Sequence, residues 1–383
     1  MTIEFDNSKK VRAPRENSIF RGHEQAEFIL KKAFDSNRLA HAWLITGSKG
    51  IGKATLAYRF VRYVLSDSDK AILDAGLPGL FEEEILPEKE THVSGKGPLY
   101  IAPANPVFKK VATGSHVDFM SVERTINEKN GKLRTEIVVD DVRSVGSFFN
   151  FTAGEGGWRV VVIDCADELN SNAANAVLKV LEEPPPKTLL LLISHNPGQL
   201  LGTIRSRCRK LHLKPLENEY VASLVRSWNL DIEEASVKTL ITLADGSPGR
   251  ALALAGDGGL GLYQEMISLL GTLPKLDIEA LHTFSGRLGK PGSEEAFVMI
   301  SELFRSWMSR MILAKGKDKS GFMILTEPEK IFMDQFSEIV SLDRWFELWE
   351  KINRLLSKTN KINLDRKQVI LNVFLALENS VQS

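Results

Sequence analysis

The chain has 383 residues, 43% apolar and 26% charged, with 49 Lys+Arg balanced by 49 Asp+Glu. That length exceeds one compact core and implies about two or three domains, and the charge balance excludes a global basic field, so any nucleic-acid contact must come from a local patch. No apolar run spans a bilayer, the N-terminus lacks the apolar segment of a secretion signal, and two cysteines, Cys165 and Cys208, argue against a disulfide framework, so a soluble cytoplasmic protein is expected.

Residues 1–19 are charged and Pro-containing and are expected to form a loose arm. Ala26, Phe28, Ile29, Leu30 and Ala33 predict a helix between Arg21 and Asn37, and Ala42–Thr46 reads as a short buried strand. That strand runs into Gly47-Ser48-Lys49-Gly50-Ile51-Gly52-Lys53 and then into a predicted helix, Lys53–Leu65, with Leu56, Ala57, Phe60, Val61 and Val64 at helical spacing. The segment 66–115, rich in Gly, Pro and acidic residues, is expected to be an irregular insertion without evident chemistry.

Strands are predicted at Asp118–Val122 and Glu136–Val139 across a turn at Asn130-Gly131, followed by a helix capped by Asp140 or Asp141. Trp158–Ile163 and Leu189–Ile193 are continuous apolar strands of the kind covered on both faces. Between them a helix capped by Ser171 presents Ala174, Val177, Leu178 and Leu181, and Pro184-Pro185-Pro186 stops it. A helical turn at Gln199–Thr203 and a strand at Lys210–Lys214 follow. Alternating strands and helices imply a parallel sheet with helices on both faces.

Beyond about residue 217 the pattern is all helical: Tyr220–Trp228, Ile232–Ala244 and Pro248–Ala255. After a glycine-rich linker come Leu262–Leu273, Ile278–Leu288, Ser293–Ala314, Leu342–Ser357 and Leu364–Ser380.

The G-x-x-x-x-G-K loop, set between a strand and a helix, is the arrangement that cradles phosphates: Gly47, Gly50 and Gly52 allow close backbone approach, and Lys53 neutralises charge. Two positions break the pattern of a working ATPase. Ala54 stands where a Ser or Thr hydroxyl ligates Mg²⁺, and Thr55 is one position late. Asp164 ends a strand where a metal-side carboxylate belongs, but the next residue is Cys165, a poor general base for water. Asp167 is expected to cap the next helix or face solvent. Two readings of the loop stay open: it binds ATP without hydrolysing it, with Mg²⁺ only alongside nucleotide, or it is a glycine-rich strand-to-helix turn with no ligand. The Cys and His residues show no zinc-type spacing, so no zinc or other resident metal is expected.

Two arginines are candidates for a phosphate from a distance. Arg207 lies in the basic run Arg205, Arg207, Arg209, Lys210, and a guanidinium on a rigid turn can stabilise phosphate charge on a neighbouring subunit; a plain solvated face is the other reading. Arg250 sits at N3 of a helix begun by Ser247-Pro248-Gly249, from where it either reaches a γ-phosphate or simply faces solvent.

The stretch Ala173-Ala174-Asn175-Ala176-Val177-Leu178-Lys179-Val180-Leu181-Glu182-Glu183-Pro184-Pro185, followed by an apolar strand and Arg205-Ser206-Arg207-Cys208, resembles the bacterial clamp-loader proteins, the AAA+ subunits of the DNA polymerase III holoenzyme. His41-Ala42-Trp43-Leu44 before the glycine loop and Gly246-Ser247-Pro248-Gly249 fit the same family, and the motifs cover about residues 20–255. The resemblance implies an AAA+ parallel-sheet P-loop α/β domain over 20–215, a three-helix lid over 216–257 and an all-α collar domain over 258–383. It implies a pentameric ring with gamma/tau ATPases and delta, loading a sliding clamp onto primed DNA, with no membrane involved. Within that family the match is to a non-hydrolysing stator whose S-R-C arginine, here Arg207, acts in trans. The alternatives are an active motor subunit that hydrolyses ATP itself and a small-molecule phosphotransferase. Many family members carry a four-cysteine zinc module after the glycine-loop helix; residues 66–115 contain no cysteine, so zinc is not carried over.

Overall fold

A computed structural model describes residues 12–74, 97–127, 131–151, 157–230, 232–256, 258–315, 329–331, 340–362 and 364–382. The chain divides into two compact units, Met1–Tyr220 and Val221–Ser383. Among the described residues no helix is long and apolar enough to cross a membrane.

The first unit is built on five parallel strands, β1 (Ala42–Thr46), β2 (Phe119–Val122), β3 (Arg159–Asp164), β4 (Thr188–Ser194) and β5 (Arg209–His212), in the order β2-β3-β4-β1-β5. Helices α1 (Glu24–Asp35), α2 (Lys53–Asp74), α3 (Pro106–Thr113), α4 (Val139–Asn150), α5 (Ser171–Glu182) and α6 (Gly202–Arg207) connect and flank them. Side chains alternate across a strand, so β1 divides its residues between two cores. Trp43 and Ile45 pack with Leu30 of α1 and Phe60, Val61 and Val64 of α2. Ala42 and Leu44 pack with Val142 and Val145 of α4 and Val177 and Leu181 of α5. Burial on both faces explains why the central strands read as unbroken apolar runs. Truncating a fully buried residue such as Leu44 to Ala would cost about 2–5 kcal/mol. The expected α/β P-loop fold class is what this unit shows.

Several local expectations are corrected. Residues 12–19 are not a loose arm, because two buried arginines of α2 need acceptors and the arm's carbonyls supply them. Arg59 Nη1 donates to Ser18 O, and Arg62 donates to Arg15 O (3.0 Å) and Asn17 O (2.7 Å). Residues 1–11 of that arm lie outside the described residues. The segment 66–115 is not irregular throughout: α2 continues to Asp74, and α3 begins at an Asn105 cap accepting from Val107 N (2.8 Å), with Pro106 at its first position. Asn-Pro before a helical pattern and Gly114 after it are ordinary boundary signals that the composition of the segment obscured. Residues 75–96 of the expected insertion, and Asn130 of the expected turn, lie outside the described residues.

The strand expected at Glu136–Val139 is only a single bridge between Ile137 and Leu169, and α4 starts at Val139. Its N-terminus is closed by Asp141, whose Oδ2 accepts from Val138 N at 3.0 Å. Asn170, not Ser171, caps α5, accepting from Ala173 N at 2.9 Å. The helical turn expected at Gln199–Thr203 falls later, at Gly202–Arg207, so Arg207 is the last helical residue.

The second unit is helical. It contains α7 from Val221 onward (the helix spans Asn218–Ser227), α8 (Glu234–Ala244), α9 (Pro248–Gly256), α10 (Gly259–Leu270), α11 (Ile278–Leu288), α12 (Glu294–Lys315), α13 (Leu342–Ile362) and α14 (Arg366–Gln382). Both the expected lid and collar segments contribute to it. Its core includes the buried Trp307 and Trp345, with Phe374 of α14 edge-on to Phe284 of α11 (6.2 Å between centroids) and to Phe304 of α12 (5.7 Å).

Candidate nucleotide-binding site

The C-terminal ends of β1, β4 and β3 lie side by side, with Thr46 opposite Ser194 and Asp164 opposite Ile193. This edge of an open parallel sheet is where ligands of such folds bind. The glycine loop leaves β1 here, and its three glycines take φ values of +145° (Gly47), +79° (Gly50) and +108° (Gly52). A Cβ on Gly47 would meet the carbonyl oxygen of Leu213 at 2.7 Å, so the loop's first turn requires glycine for space as well as for conformation.

Lys53, the first residue of α2, is buried and its Nζ donates to the loop's own carbonyls, Gly47 O at 2.7 Å and Ser48 O at 2.6 Å. Burial lowers its pKa from 10.5 to about 8, partly offset by Cys165, Asp164 and Asp167. The ammonium thus has substitutes for phosphate oxygens, which a ligand would have to replace. The N-cap residue of α1 backs the loop: His23 Nε2 lies 3.2 Å from Ile51 O. Ala54 offers no hydroxyl, and Thr55 is buried.

Asp164 ends β3, and burial, with Glu123 adding to it and Lys53 opposing, raises its carboxyl to about 6. The Cys165 thiol is pushed up to about 12 by burial and by Asp167 and Glu168, which makes it inert as a base at neutral pH. Asp167 neither caps α5 nor faces solvent as expected. Its Oδ1 accepts from Ser194 Oγ (2.6 Å) and its Oδ2 from His195 N (2.5 Å) and Asn196 N (3.1 Å), tying the end of β3 to the end of β4. Burial would raise its pKa, but those hydrogen bonds outweigh it and the carboxyl is held low. His195, beside this clamp, is driven down to about 4 by burial and by Lys53. Ser194 and His195 were not anticipated as site residues; a polar pair closing an otherwise apolar central strand is the sequence signal that marks them.

Gly47, Gly50, Gly52, Lys53 and Asp164 therefore come together, and Arg207 does not join them. Arg209 pairs with Trp43 near the start of β1, so Arg207, two residues earlier, stands at the opposite edge of the sheet from the glycine loop. Strand rise puts the two edges roughly 15 Å apart. There Arg207 is partly exposed, its Nη2 3.0 Å from Glu182 Oε1 at the end of α5 and its Nη1 3.2 Å from Thr203 O. Arg250 lies in the second unit. Ser247 Oγ accepts from its backbone N (3.3 Å), as its reading as N3 requires, while its half-buried side chain lies near Glu302, Asp245 and Arg310, with Nη2 lacking a hydrogen-bond partner.

Residues 102–217 match the family model described as DNA polymerase III, delta subunit. The chain is 36% identical over 220 residues to the DNA polymerase III subunit delta' of Pseudomonas aeruginosa, covering 57% of each chain. It is 31% identical over 225 residues to that of Escherichia coli, covering 59% of this chain and 57% of the relative. The matched region is delta-prime-like. The Haemophilus influenzae subunit tau/gamma is more distant, 26% identical over 280 residues, covering 70% of this chain and 36% of the relative. The chain thus spans just over half the length of the delta-prime relatives it matches. These relatives are all DNA polymerase III subunits, and the residues matched by the family model include the Arg205–Cys208 segment.

Proposed function

We propose that the chain is the stator of a cytoplasmic clamp loader, working in replication as a delta-prime-type subunit beside gamma/tau ATPases and delta in a pentameric ring. It supports ATP-dependent loading of a sliding clamp onto primed DNA and lends Arg207 to the ATP site of a neighbouring subunit. Its own loop, through Gly47, Gly50, Gly52 and Lys53, holds ATP without hydrolysing it, with Asp164 on the Mg²⁺ side when nucleotide is present. Arg250, in the lid segment 216–257, is the second arginine assigned to the nucleotide; the 258–383 segment acts as collar.

The observation that carries this reading is the separation of Arg207 from its own loop, at opposite edges of one sheet. An arginine so placed is useless to Lys53 and available to a neighbour, and a guanidinium delivered in trans is worth a factor of about 10³–10⁵ in phosphoryl transfer. Ala54 and the inert Cys165 support the other half of the reading by removing the hydroxyl and the base that turnover needs. The test is reconstitution with the ATPase subunits, delta, clamp and primed DNA. Arg207→Ala should cut DNA-dependent ATPase at the affected site by roughly 10³-fold, and the isolated chain should show no turnover above a Lys53→Ala control. An unchanged rate in the first assay, or Lys53-dependent turnover in the second, overturns the proposal.

A further inference from the structure

The position vacated by the catalytic glutamate carries something besides an inert thiol. Cys165 follows the end of β3, Asp167 lies in the next turn, and His195 follows the end of the neighbouring strand β4. One donor atom from each, the Cys165 Sγ, an Asp167 carboxylate oxygen and a His195 ring nitrogen, lie within 4.8 Å of one another. Cys165 Sγ is already 3.3 Å from Asp167 Oδ2. His195 Nδ1 is buried and has no hydrogen-bond partner, an unmet cost that a ligand would remove.

We propose that Cys165, Asp167 and His195 form a three-ligand site for a thiophilic divalent cation of the zinc type, bridging the ends of β3 and β4. The inference does not depend on the clamp-loader reading.

The donor set argues for the class of ion. Thiolate, imidazole and carboxylate together suit Zn²⁺ or Co²⁺, whereas Mg²⁺ takes oxygen ligands. Bonds of about 2.3 Å to sulfur and about 2.0–2.2 Å to nitrogen or oxygen set tetrahedral ligand atoms roughly 3.2–3.6 Å apart. The sulfur–oxygen pair, at 3.3 Å, already meets that spacing, and a His195 ring nitrogen lies within 4.8 Å of both ligand atoms. The Asp167 carboxylate is oriented from outside the site by Ser194 Oγ and the backbone N–H groups of His195 and Asn196, the supporting hydrogen bonds that metal-ligating carboxylates require. Asp167 and Glu168 act on Cys165, and Lys53 and Lys49 act on His195, so charges of both signs stand beside the cluster. On binding, the metal–sulfur bond replaces the S–H bond and the thiol proton passes to solvent, while neutral histidine and ionised aspartate bind without proton loss. Three protein ligands leave a fourth position for water or an anion.

Sequence spacing hides such a site, since His195 is 30 residues beyond Cys165 and only the pairing of β3 with β4 brings them together. It is unrelated to a cysteine module in 66–115, whose absence from the sequence stands.

The experiment is Co²⁺ titration of the chelator-treated full-length chain, followed by absorbance. The wild type should develop a thiolate-to-cobalt charge-transfer band that saturates at one equivalent and is bleached by Zn²⁺. Cys165→Ser should abolish the band and Cys208→Ser should keep it. His195→Gln should weaken Co²⁺ binding at least about tenfold. No charge-transfer band in the wild type overturns the proposal without reference to any variant. A band that survives Cys165→Ser, or one that disappears only in Cys208→Ser, overturns it as well, as does a Co²⁺ affinity unmoved by His195→Gln.

Discussion

Arg207 and Glu182 form an ion pair, Nη2 to Oε1 at 3.0 Å, at the edge of the sheet opposite Lys53. Both side chains are partly exposed, 38% and 52%. A pair so exposed contributes about 0–1 kcal/mol. It orients the guanidinium without committing it, because a phosphate can displace a carboxylate that water already competes for.

Arg207→Ala and Glu182→Gln should therefore each change the unfolding free energy of the isolated chain by no more than about 1 kcal/mol. Urea denaturation checks this. A larger loss would assign Arg207 a structural role and weaken its assignment to a neighbour's nucleotide.

Lys53 ties stability to alkaline pH. Its folded-state pKa, about 8, lies below the ordinary 10.5, so between those values the unfolded chain binds more protons than the folded one. The wild type accordingly gains stability as pH rises from about 8 to 10.5, since the cost of burying a charged ammonium fades. Relative to wild type, Lys53→Met should lose ground across that window by up to about 3 kcal/mol. Parallel denaturation curves for the two proteins from neutral to alkaline pH would refute the burial of that charge.

Glu27 and Arg59 are a buried pair, 2.6 Å from Nε to Oε1, and burial holds the Glu27 carboxyl above its usual range despite the arginine. Arg59→Met should destabilise by about 3–5 kcal/mol, because it strands a buried carboxylate. That deficit should shrink as pH falls through the raised glutamate pKa, since a neutral carboxyl is cheaper to bury. The double change Glu27→Met/Arg59→Met should recover much of the loss. Limited proteolysis adds a local readout: the strap around Ser18, which Arg59 also holds, should become cleavable in the single variant.

Gly47→Ala should cost more than about 1 kcal/mol, because φ of +145° strains any side chain and the new methyl would press on Leu213 O. Gly131→Ala is the control: it also sits at positive φ (+65°) but nothing lies within 4 Å of the added carbon, so it carries backbone strain alone. Equal thermal shifts in the two variants would mean the Gly47–Leu213 approach is unimportant.

The regular features of the first unit were legible in the residue order, because each is written in local chemistry. The apolar runs of β1, β3 and β4 announce strands covered on both faces, and the spacing of Leu56, Phe60 and Val64 announces α2. Ala54 and Cys165 declare the loss of a hydroxyl and a carboxylate simply by being what they are. Short-range rules failed where a neighbouring residue could serve equally well. Asn170 took the cap expected of Ser171, whereas Asp141, one of the two residues expected to close α4, does close it. The strap at 12–19 looked loose because its tethers are carbonyls, which carry no side-chain signature, and their donors lie some 45 residues away in α2.

By itself the sequence determined the P-loop α/β fold, the placement of Ala54 and Cys165 and the basic run that holds Arg207, since hydrophobic period, glycine placement and side-chain chemistry are properties of short stretches. Only the tertiary structure decided which groups meet. Strand order set Arg207 and Lys53 at opposite edges, and the pairing of β3 with β4 gathered Cys165, Asp167 and His195. Parallel pairing is a long-range choice made by packing helices against both faces of the sheet, and no local pattern encodes which residues it brings within bonding distance.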